Sequence, residues 1–385
     1  MVGIIQEQHP DRCRLFMQWK QMNWPVLVDS YNLLGVSVVP ITLAIDEYGV
    51  IRHTGLRRVN IAWLTESFVK MPYEKPSKSA TIAKPSASLK KARQDAEQHP
   101  SPDSWRAYAD LAIRQSTKNS SKHLDLAIEA YERVLSMDEG DAASHFRLGT
   151  TYRKRYDSRK RRPNDFQNAV DHWNKALGLD PNNYIWRRRI QQYGPRLMKP
   201  YPFYDWVRQA RDDVRARGKA PVELVAEPSG AELAHPSRDF RTVESEQTEP
   251  DPKSRITTDD GALIKIETTV VPPIISAGRA SRVHLVFAPN DRVKAHWNNE
   301  AGDSVLWINP PQGWTVNRRF HVMSKASKPV SDEIRILEFE IRCPKDAGAG
   351  KKRIPAYALY YVCRGVDGKC LYRRQDVSIE LELGQ

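Results

Sequence analysis

Short segments of alternating apolar and polar residues fill the last third of the chain, and they constrain its fold more than any other feature. The segments follow Ala262 and are separated by Pro, Gly and Asn: LIKIETTV, RVHLVFA, SVLWIN, EIRILEFEIRC, PAYALYYVC and DVSIELEL. Alternation with a period of two is typical of strands that bury one face. Because no helical pattern lies between the segments, we predict an antiparallel β-sandwich over residues 261–385.

The middle of the chain, residues 101–217, has helical periodicity and contains an internal repeat. Three positions of one helix recur in a later one with similar spacing: Ala127, Tyr131 and Val134 correspond to Ala169, Trp173 and Ala176. The second unit also contains Leu148, Gly149 and Tyr152 upstream and ends at Pro181. Small residues where helices cross, aromatic residues beside them and a closing proline resemble the tetratricopeptide-repeat pattern.

The tetratricopeptide resemblance implies stacked helix pairs with a concave surface for protein partners. Two units are fewer than the ~3 usually needed for independent stability, so we expect capping elements. The candidates are the helix from Tyr184 to Tyr193 and the aromatic segment around Trp206. An extra basic segment, DSRKRRPN, lengthens the second unit and predicts a protruding loop between its two helices.

Basic residues are concentrated in this middle block, at positions 153–155, 159–162 and 187–189. Such a surface could bind nucleic-acid phosphates in a salt-dependent way. No nucleic-acid-binding motif accompanies it, however, and the nearby aromatic residues occupy core positions of the repeat. We therefore do not expect nucleic-acid binding, and we interpret the cluster as a solvated loop or a surface for an acidic protein partner.

Residues 1–73 combine short apolar segments with helical ones. VGIIQ and PVLVD predict strands on either side of a helix from Pro10 to Trp24. VSVVPITLAID and GVIRHTG predict two further strands, joined by a turn from Asp46 to Gly49 in which the glycine supplies a positive φ. A helix from Ile61 to Met71 is predicted to close the block.

The run Val39-Pro40-Ile41-Thr42, followed by LAID and GVI, resembles the carboxy-terminal part of a thioredoxin-like fold of the redoxin and peroxiredoxin-like branch. In that family the proline is cis and lies against the redox centre, so the resemblance implies the same for Pro40. The family's nucleophilic cysteine precedes this part and has no counterpart here, so we expect the catalytic half to be missing. Cys13 lies near a helix start between two arginines, and we interpret it as a half-buried cysteine rather than a redox residue.

Two stretches, residues 74–100 and 218–260, have the composition of linkers. The first part of residues 74–100 is rich in Pro, Ser, Lys and Ala, and residues 218–260 are acidic and rich in Pro, Ser and Thr. A chain of 385 residues also exceeds what one hydrophobic core usually organises. We therefore predict a multidomain α+β protein. Its parts would be a partial thioredoxin-like α/β domain, an α-helical tetratricopeptide domain and an antiparallel immunoglobulin-like β-sandwich.

Two of the four cysteines, Cys363 and Cys370, lie on either side of a turn at Asp367-Gly368. Cysteines that face each other across a hairpin can reach the ~4.4–6.8 Å Cα separation of a disulfide. Closing so short a loop gives little entropic stabilisation, which makes a purely structural role less compelling. The sequence has no CxxC and no zinc-finger spacing, so we predict no structural zinc site, assign no metal-binding residue and expect no cofactor. We interpret Cys343 as an unpaired core cysteine.

The motif YYVC, followed by C-x-Y, resembles the amino-terminal periplasmic domain of the Dsb-type thiol:disulfide interchange reductases. That domain is immunoglobulin-like, and its two cysteines pass electrons to other thioredoxin-like proteins. The resemblance implies Cys363 and Cys370 as a redox pair and another thioredoxin-like protein as a partner. A redox-active, a structural and a metal-binding role for the pair stay open, and His296 is interpreted as a packed neighbour of Trp297 rather than a group that tunes a thiolate.

Two functional hypotheses follow. In the first, the chain is a thiol–disulfide exchange protein, an oxidoreductase or antioxidant, whose repeats bind protein partners. In the second, it is a non-catalytic tetratricopeptide scaffold in which a structural disulfide closes a hairpin. The sequence indicates no particular small-molecule ligand.

The amino terminus and the hydropathy bear on location. No apolar run approaches the ~18 residues of a membrane span, and the opening residues lack a secretory signal, so the chain as written is predicted to be cytoplasmic with no transmembrane segment. A start inside a redoxin-like fold would imply a truncated amino terminus. In that case we expect a periplasmic or other extracytoplasmic location.

Overall fold

The computed structural model describes residues 2–39, 41–54, 61–74, 88–116, 122–195, 206–224, 248–365 and 368–384. Over these ranges the chain forms nine α-helices and fifteen β-strands, with helices in the first two thirds and antiparallel sheets in the last. The coarse prediction of a mixed α and β protein is confirmed. Within the described ranges, no helix is both long and apolar enough to cross a membrane.

The first strands form two separate two-stranded sheets, one parallel and one antiparallel. The elements are β1 (Gly3–Ile5), α1 (Pro10–Lys20), β2 (Val26–Val28), β3 (Leu43–Ile45), β4 (Ile51–Thr54) and α2 (Ile61–Lys70). Gln21 takes a left-handed conformation with φ 52°, which ends α1 earlier than the predicted Trp24. Because two strands cannot enclose a core, apolar side chains such as Ile4, Leu27, Leu43 and Ile51 remain exposed.

Six consecutive helices follow, each packed against the next. They are α3 (Leu89–Gln98), α4 (Pro102–Gln115), α5 (Lys122–Met137), α6 (Ala142–Tyr156), α7 (Asp165–Leu179) and α8 (Tyr184–Gln191). Ala96 of α3 is fully buried in the core of these helices. The helical block therefore begins at Leu89, inside the stretch that the composition assigned to a linker.

Helices α6 and α7 cross closely at Gly149. A Cβ atom at this position would lie 2.7 Å from Cδ1 of Trp173 and 2.8 Å from the carbonyl oxygen of Ala169, so only glycine fits without displacing a neighbour. Trp173 and Ala169 are themselves completely buried. The small and aromatic residues of the repeat thus meet at the helix crossing, where the sequence pattern expected them.

The ninth helix, α9 (Trp206–Ala216), packs against α1 rather than against the end of the helical block. The indole rings of Trp206 and Trp19 stack at 6.0 Å with an angle of 4°, and Phe16 meets Trp206 edge-on. Leu15 is fully buried between the two helices. The segment predicted to cap the last repeat instead covers the first block.

The remaining strands form two sheets. They are β5 (Ile264–Val271), β6 (Ile274–Ile275), β7 (Ala280–Pro289), β8 (Ala295–Asn298), β9 (Val305–Ile308), β10 (Thr315–Val316), β11 (Phe320–Val322), β12 (Val330–Ser331), β13 (Arg335–Arg342), β14 (Gly350–Arg364) and β15 (Cys370–Leu383). The smaller sheet has the order β10-β13-β7-β5. The larger has the order β11-β9-β14-β15-β6, with β8 paired to β14 and to β12. Side chains of both sheets, including Phe287, Trp297 and Phe339, share one hydrophobic core.

The chain before β5 is part of this structure as well. Asp251 forms an ion pair with Arg374 of β15 at 3.0 Å, and Asp259 accepts hydrogen bonds from the Tyr360 hydroxyl and from three consecutive backbone N–H groups, those of residues 262–264. Both aspartates are buried. The β-sheet unit therefore extends toward the amino terminus beyond the predicted boundary at residue 261.

The first block, the helical block and the sheets meet at Tyr193, just after α8. Its ring stacks on Trp173 at 5.7 Å, and its hydroxyl lies 3.2 Å from Nε2 of His9. Its carbonyl oxygen accepts a hydrogen bond of 2.8 Å from Nε2 of His284 on β7. The three parts are thus in direct contact through buried polar groups.

Much of the basic cluster predicted at the surface is inside the protein. Arg155 is buried and forms ion pairs with Asp165 at 2.6 Å and Asp125 at 2.7 Å. Arg153 is buried beside Asp157 at 3.0 Å, and the almost fully buried Arg189 donates hydrogen bonds to the backbone oxygens of residues 6 and 30. The interpretation as a solvated basic surface is wrong for these three arginines, because internal carboxylates and carbonyl groups neutralise or solvate them.

Candidate functional site

The candidate site lies at the end of the long β14–β15 hairpin. The two strands pair without interruption from Gly350 opposite Leu383 to Cys363 opposite Cys370. The end of β14 is rich in aromatic and β-branched residues, YYV, which favour an extended backbone. A Cβ atom at Gly368 would lie 1.2 Å from the carbonyl oxygen of Arg364, so the return of the chain requires glycine there.

Cys363 and Cys370 form a disulfide across the last register pair of the hairpin, with their Cα atoms 4.0 Å apart. The pairing predicted from the sequence is therefore present. Gly368 of the predicted turn is described, whereas Asp367 lies outside the described residues. The other two cysteines are free: Cys13 is half-buried and Cys343 is buried.

The two cysteine residues differ strongly in exposure. Cys363 is only 2% exposed because its strand lies between β8 and β15, whereas Cys370 is exposed at the first residue of β15. In the described ranges, the far edge of β15 is paired only at Arg374 and at its last residues, Glu382 and Leu383. Solvent therefore reaches Cys370, while Cys363 is shielded.

A third residue is in line with the disulfide. On β8, His296 pairs with Cys363, so that His296, Cys363 and Cys370 form one row across three adjacent strands. We call these three residues the cysteine row. The neighbouring row contains Trp297 and Val362, which point into the core shared by the two sheets. Since side chains alternate between faces along a strand, the cysteine row points to the outer face of the larger sheet.

Two tyrosines form the next outward row. Tyr361 and Tyr372 are register partners, and their rings stack at 4.4 Å with an angle of 24°. Gly302 approaches so closely that a Cβ atom there would lie 3.0 Å from Cε2 of Tyr361. Burial, together with Tyr361 and Asp251, raises the pKa of Tyr372.

Further along the same face, the chain before β5 covers the sheet. The guanidinium of Arg374 lies 3.7 Å from the ring centre of Tyr357, and the Tyr357 hydroxyl accepts a hydrogen bond from the backbone N–H of Asp251. Burial raises the pKa of Tyr357 to about 12, an effect to which Glu249 adds. This part of the face is covered, whereas Tyr372 and Cys370 beyond it are exposed.

The remaining predicted site residues take no part in this site. Pro40 lies outside the described residues. Burial raises the pKa of the Cys13 thiol, and Glu7 adds to the effect, which is the opposite of the activation a nucleophile needs. The Cys343 thiol contacts the backbone oxygens of Ser276 at 3.3 Å and Arg279 at 3.4 Å, as expected for an inert core cysteine.

Sequence reasoning missed the tyrosine pair and did not predict that His296 is aligned with Cys363. A usable signal for the tyrosines was present: Tyr361 precedes one cysteine by two positions and Tyr372 follows the other by two, so paired cysteines imply paired tyrosines. His296 had no such signal, because its alignment with Cys363 depends on which strand pairs with the other edge of β14. In the part of the chain that is described, no three His, Cys, Asp or Glu side chains are grouped so as to hold a metal ion.

Comparison with known proteins assigns no family: neither a family model nor a curated protein matches the chain. Solved structures with partial similarity include Spo0M, a sporulation control protein of Bacillus subtilis (8% identity, 32% of this chain and 50% of that chain, TM-score 0.15). Another is AvmM, which catalyses macrocyclization in alchivemycin A biosynthesis (10% identity, 33% of this chain and 91% of that chain, TM-score 0.19). A third is AggA, a fimbrial subunit of Escherichia coli (13% identity, 34% of this chain and 99% of that chain, TM-score 0.18). The chain spans half the length of Spo0M, and TM-scores this low carry no argument on fold or function.

Proposed function

We propose that this protein performs thiol–disulfide exchange, with the Cys363–Cys370 disulfide as the redox centre and the helical block as a scaffold for protein partners. The observation that carries the proposal is the asymmetry of the pair: Cys370 is an exposed residue, whereas Cys363 is 2% exposed. Such an arrangement gives a partner one sulfur to attack and keeps the other as the leaving group. Exposed disulfides are typically the exchangeable ones.

The exchange would proceed in two balanced steps. A partner thiolate attacks Sγ of Cys370 and forms an intermolecular disulfide, while the Cys363–Cys370 bond breaks and its electron pair leaves on Sγ of Cys363. The partner's second thiolate then attacks the partner's first sulfur, which is bonded to Cys370 in the mixed disulfide. This closes the partner's disulfide and releases Cys370 as a thiolate. Two electrons pass from the partner dithiol to this protein, and the two new thiolates take up the protons that the partner's thiols released.

The proposal includes the three finer fold assignments. The parallel pairing of β1 and β2 around α1 supports a partial thioredoxin-like domain, and the close crossing of α6 and α7 at Gly149 supports tetratricopeptide repeats. The shared core of the two sheets supports an immunoglobulin-like sandwich of the Dsb type. In this proposal the partner that delivers electrons is a second thioredoxin-like protein with two neighbouring cysteines.

A redox titration of the intact protein tests the proposal. The protein is equilibrated with mixtures of reduced and oxidised glutathione, and the fraction of Cys363 and Cys370 in the disulfide is measured by thiol labelling and mass spectrometry. We expect a reduction potential above about −300 mV, the range of exchangeable disulfides. A lower potential would assign the pair to the alternative function, a scaffold with a structural disulfide.

The asymmetry has its own test, which uses two matched variants. Cys363→Ala leaves the exposed Cys370 as a free thiol, and Cys370→Ala leaves the buried Cys363. We expect oxidised glutathione to form a mixed disulfide with Cys363→Ala at least about tenfold faster, because a thiolate must be accessible to react. Both variants keep Cys13 and Cys343, so these provide an equal background, and equal rates at positions 363 and 370 would contradict the assigned order of attack.

A further inference from the structure

The leaving group of the proposed exchange has an unfavourable environment. When the disulfide breaks, the negative charge appears on Sγ of Cys363, at a position that is 2% exposed. Removing a thiolate from water disfavours its charged form and raises the pKa of the thiol. A poorer leaving group slows exchange and stabilises the disulfide. A reactive pair in this geometry therefore needs a compensating group beside Cys363 and not beside Cys370.

His296 lies at the position such a group would need. It is the register partner of Cys363 on the side away from Cys370, and both side chains point to the outer face. Directly opposed residues of antiparallel strands have Cβ atoms about 4.5–5.5 Å apart, within reach of a hydrogen bond between imidazole and thiolate. His296 is partly exposed, so it can exchange protons with solvent.

The orientation of the imidazole follows from its other contact. Nδ1 of His296 lies 3.3 Å from the carbonyl oxygen of Lys294, and a carbonyl oxygen only accepts hydrogen bonds, so Nδ1 carries the hydrogen. That leaves Nε2 as the nitrogen available for a second hydrogen bond. The same carbonyl accepts the backbone N–H of Gly365 at 3.1 Å, which ties the start of β8 to the end of β14.

We propose that His296 is the positioning and charge-stabilising residue of this redox centre: protonated at Nε2, it donates a hydrogen bond to the Cys363 thiolate formed on reduction. The inference rests on the proposed function. In the reverse direction the proton stays on Nε2 of His296. Cys363 therefore remains a thiolate and can attack a mixed disulfide at Cys370. Each residue of the cysteine row then has one role. Cys370 forms the mixed disulfide with the partner, Cys363 is the leaving group on reduction and the nucleophile in the reverse direction, and His296 stabilises the Cys363 thiolate.

Two cations adjacent in sequence are the competing explanation. Arg364 follows Cys363 and Lys369 precedes Cys370, and both side chains are exposed. Their charges favour thiolates in a general way, but they are screened by solvent and salt. Neither residue belongs to the cysteine row, since successive residues of a strand point to opposite faces. Arg364→Gln is therefore a matched control that removes a nearby charge without removing an aligned donor.

The test is the glutathione equilibrium constant of the intact protein, measured for wild type, His296→Ala, His296→Gln and Arg364→Gln. Loss of the imidazolium destabilises the reduced form, so we expect both His296 variants to be about tenfold harder to reduce, a fall in potential of about 30 mV. Arg364→Gln should shift the constant by less than about twofold. A purely structural histidine would change the unfolding temperature and leave the potential unaltered.

The outcomes separate this inference from the proposed function. If wild type exchanges with glutathione but neither His296 variant shifts the constant, or Arg364→Gln shifts it equally, the role of His296 is overturned and the exchange function stands. If wild type itself is not reduced in the titration described above, the proposed function is overturned first. His296→Gln guards against a folding defect, because its amide retains polarity and size at this partly exposed position.

Discussion

The two sheets of the carboxy-terminal unit have outer faces of opposite character. The outer face of the smaller sheet is turned toward the helices and buried, and it carries Arg282, His284 and Glu338. The outer face of the larger sheet carries the cysteine row and the stacked tyrosines, and it remains open at that end. Ionisable side chains occupy both faces: on the first they form a buried set against the helices, and on the second they include His296 beside the disulfide and the Asp251–Arg374 ion pair further along.

The buried face shows how charge is accommodated inside this protein. His284 donates from Nδ1 to Glu338 at 2.8 Å and from Nε2 to the Tyr193 carbonyl at 2.8 Å, and Arg282 pairs with the other carboxylate oxygen. Every charge in this set has a partner of opposite sign or a carbonyl group. Breaking such a set leaves an uncompensated charge, so these residues fix how the sheets lie against the helices. On the open face, the Asp251–Arg374 ion pair joins the sheet to the chain before β5 and not to the helices.

The largest expected effect comes from breaking the buried set. Glu338→Gln leaves Arg282 and His284 without a counter-charge at positions that are about 5% exposed. We expect the free energy of unfolding to fall by about 3 kcal/mol, the lower end of the range for breaking a buried ion pair, because the Glu338 side chain is 26% exposed. Urea denaturation followed by circular dichroism measures the change.

A matched variant sets the scale for this measurement. Glu380 lies on β15, is exposed and has no ion pair among the described residues, so Glu380→Gln should change the free energy of unfolding by less than about 0.5 kcal/mol. If Glu338→Gln costs no more than Glu380→Gln, the polar set does not hold the sheets against the helices. The contrast between the two faces would then be one of burial alone.

The buried set also shows where sequence reasoning stops. RVHLVFA predicts a half-exposed strand, and β7 does form there, but nearly all of it is buried because the helices cover its second face. The alternation therefore predicted the strand and one core correctly. Which polar residues would be buried against another part of the chain depends on docking between distant segments, and a local pattern contains no information on that.

For the candidate site the limit is similar. The turn and the flanking alternation were enough to pair Cys363 with Cys370, because both lie in one hairpin. The exposure difference between them was not predictable, since it arises from β8, whose sequence lies more than sixty positions upstream. Arg153 and Arg189 illustrate the opposite error: basic runs were taken for surface, although their partners are carboxylates and backbone oxygens in other elements.

A smaller effect is expected from removing the disulfide on the open face. The cysteines are seven positions apart, and closing a loop of this length gives about 2 kcal/mol of stabilisation in the chain-entropy model. The double variant Cys363→Ala/Cys370→Ala should lose about that amount in urea denaturation. Wild type with a reducing agent should lose a similar amount, and a loss above about 4 kcal/mol would favour a structural staple over an exchangeable pair.

Acid should weaken the buried face through protonation of Glu338. Burial alone would raise the pKa of Glu338, but His284 and Arg282 outweigh it and hold the pKa well below its usual value. A carboxylate with a lowered folded-state pKa contributes stability above its unfolded pKa near 4.5, and that contribution is lost as the pH falls below it, by at most about 1.4 kcal/mol per pH unit. Measured between pH 5 and about pH 3.5, wild type should lose about 1.4 kcal/mol more than Glu338→Gln. Parallel pH profiles would mean that Glu338 carries no such charge interaction.

The smallest expected effect is at the stacked tyrosines. Tyr372 is 37% exposed, so Tyr372→Leu removes one stacked ring pair and little buried area, and we expect a loss of about 0.5–1 kcal/mol in the free energy of unfolding. Tyr372→Phe keeps the ring and should cost almost nothing, because no hydrogen bond of the Tyr372 hydroxyl is found among the described residues. If the phenylalanine variant loses as much as the leucine variant, the hydroxyl rather than the stack stabilises this row. The open face would then depend on polar contacts as the buried face does, and the difference between them would lie only in the disulfide.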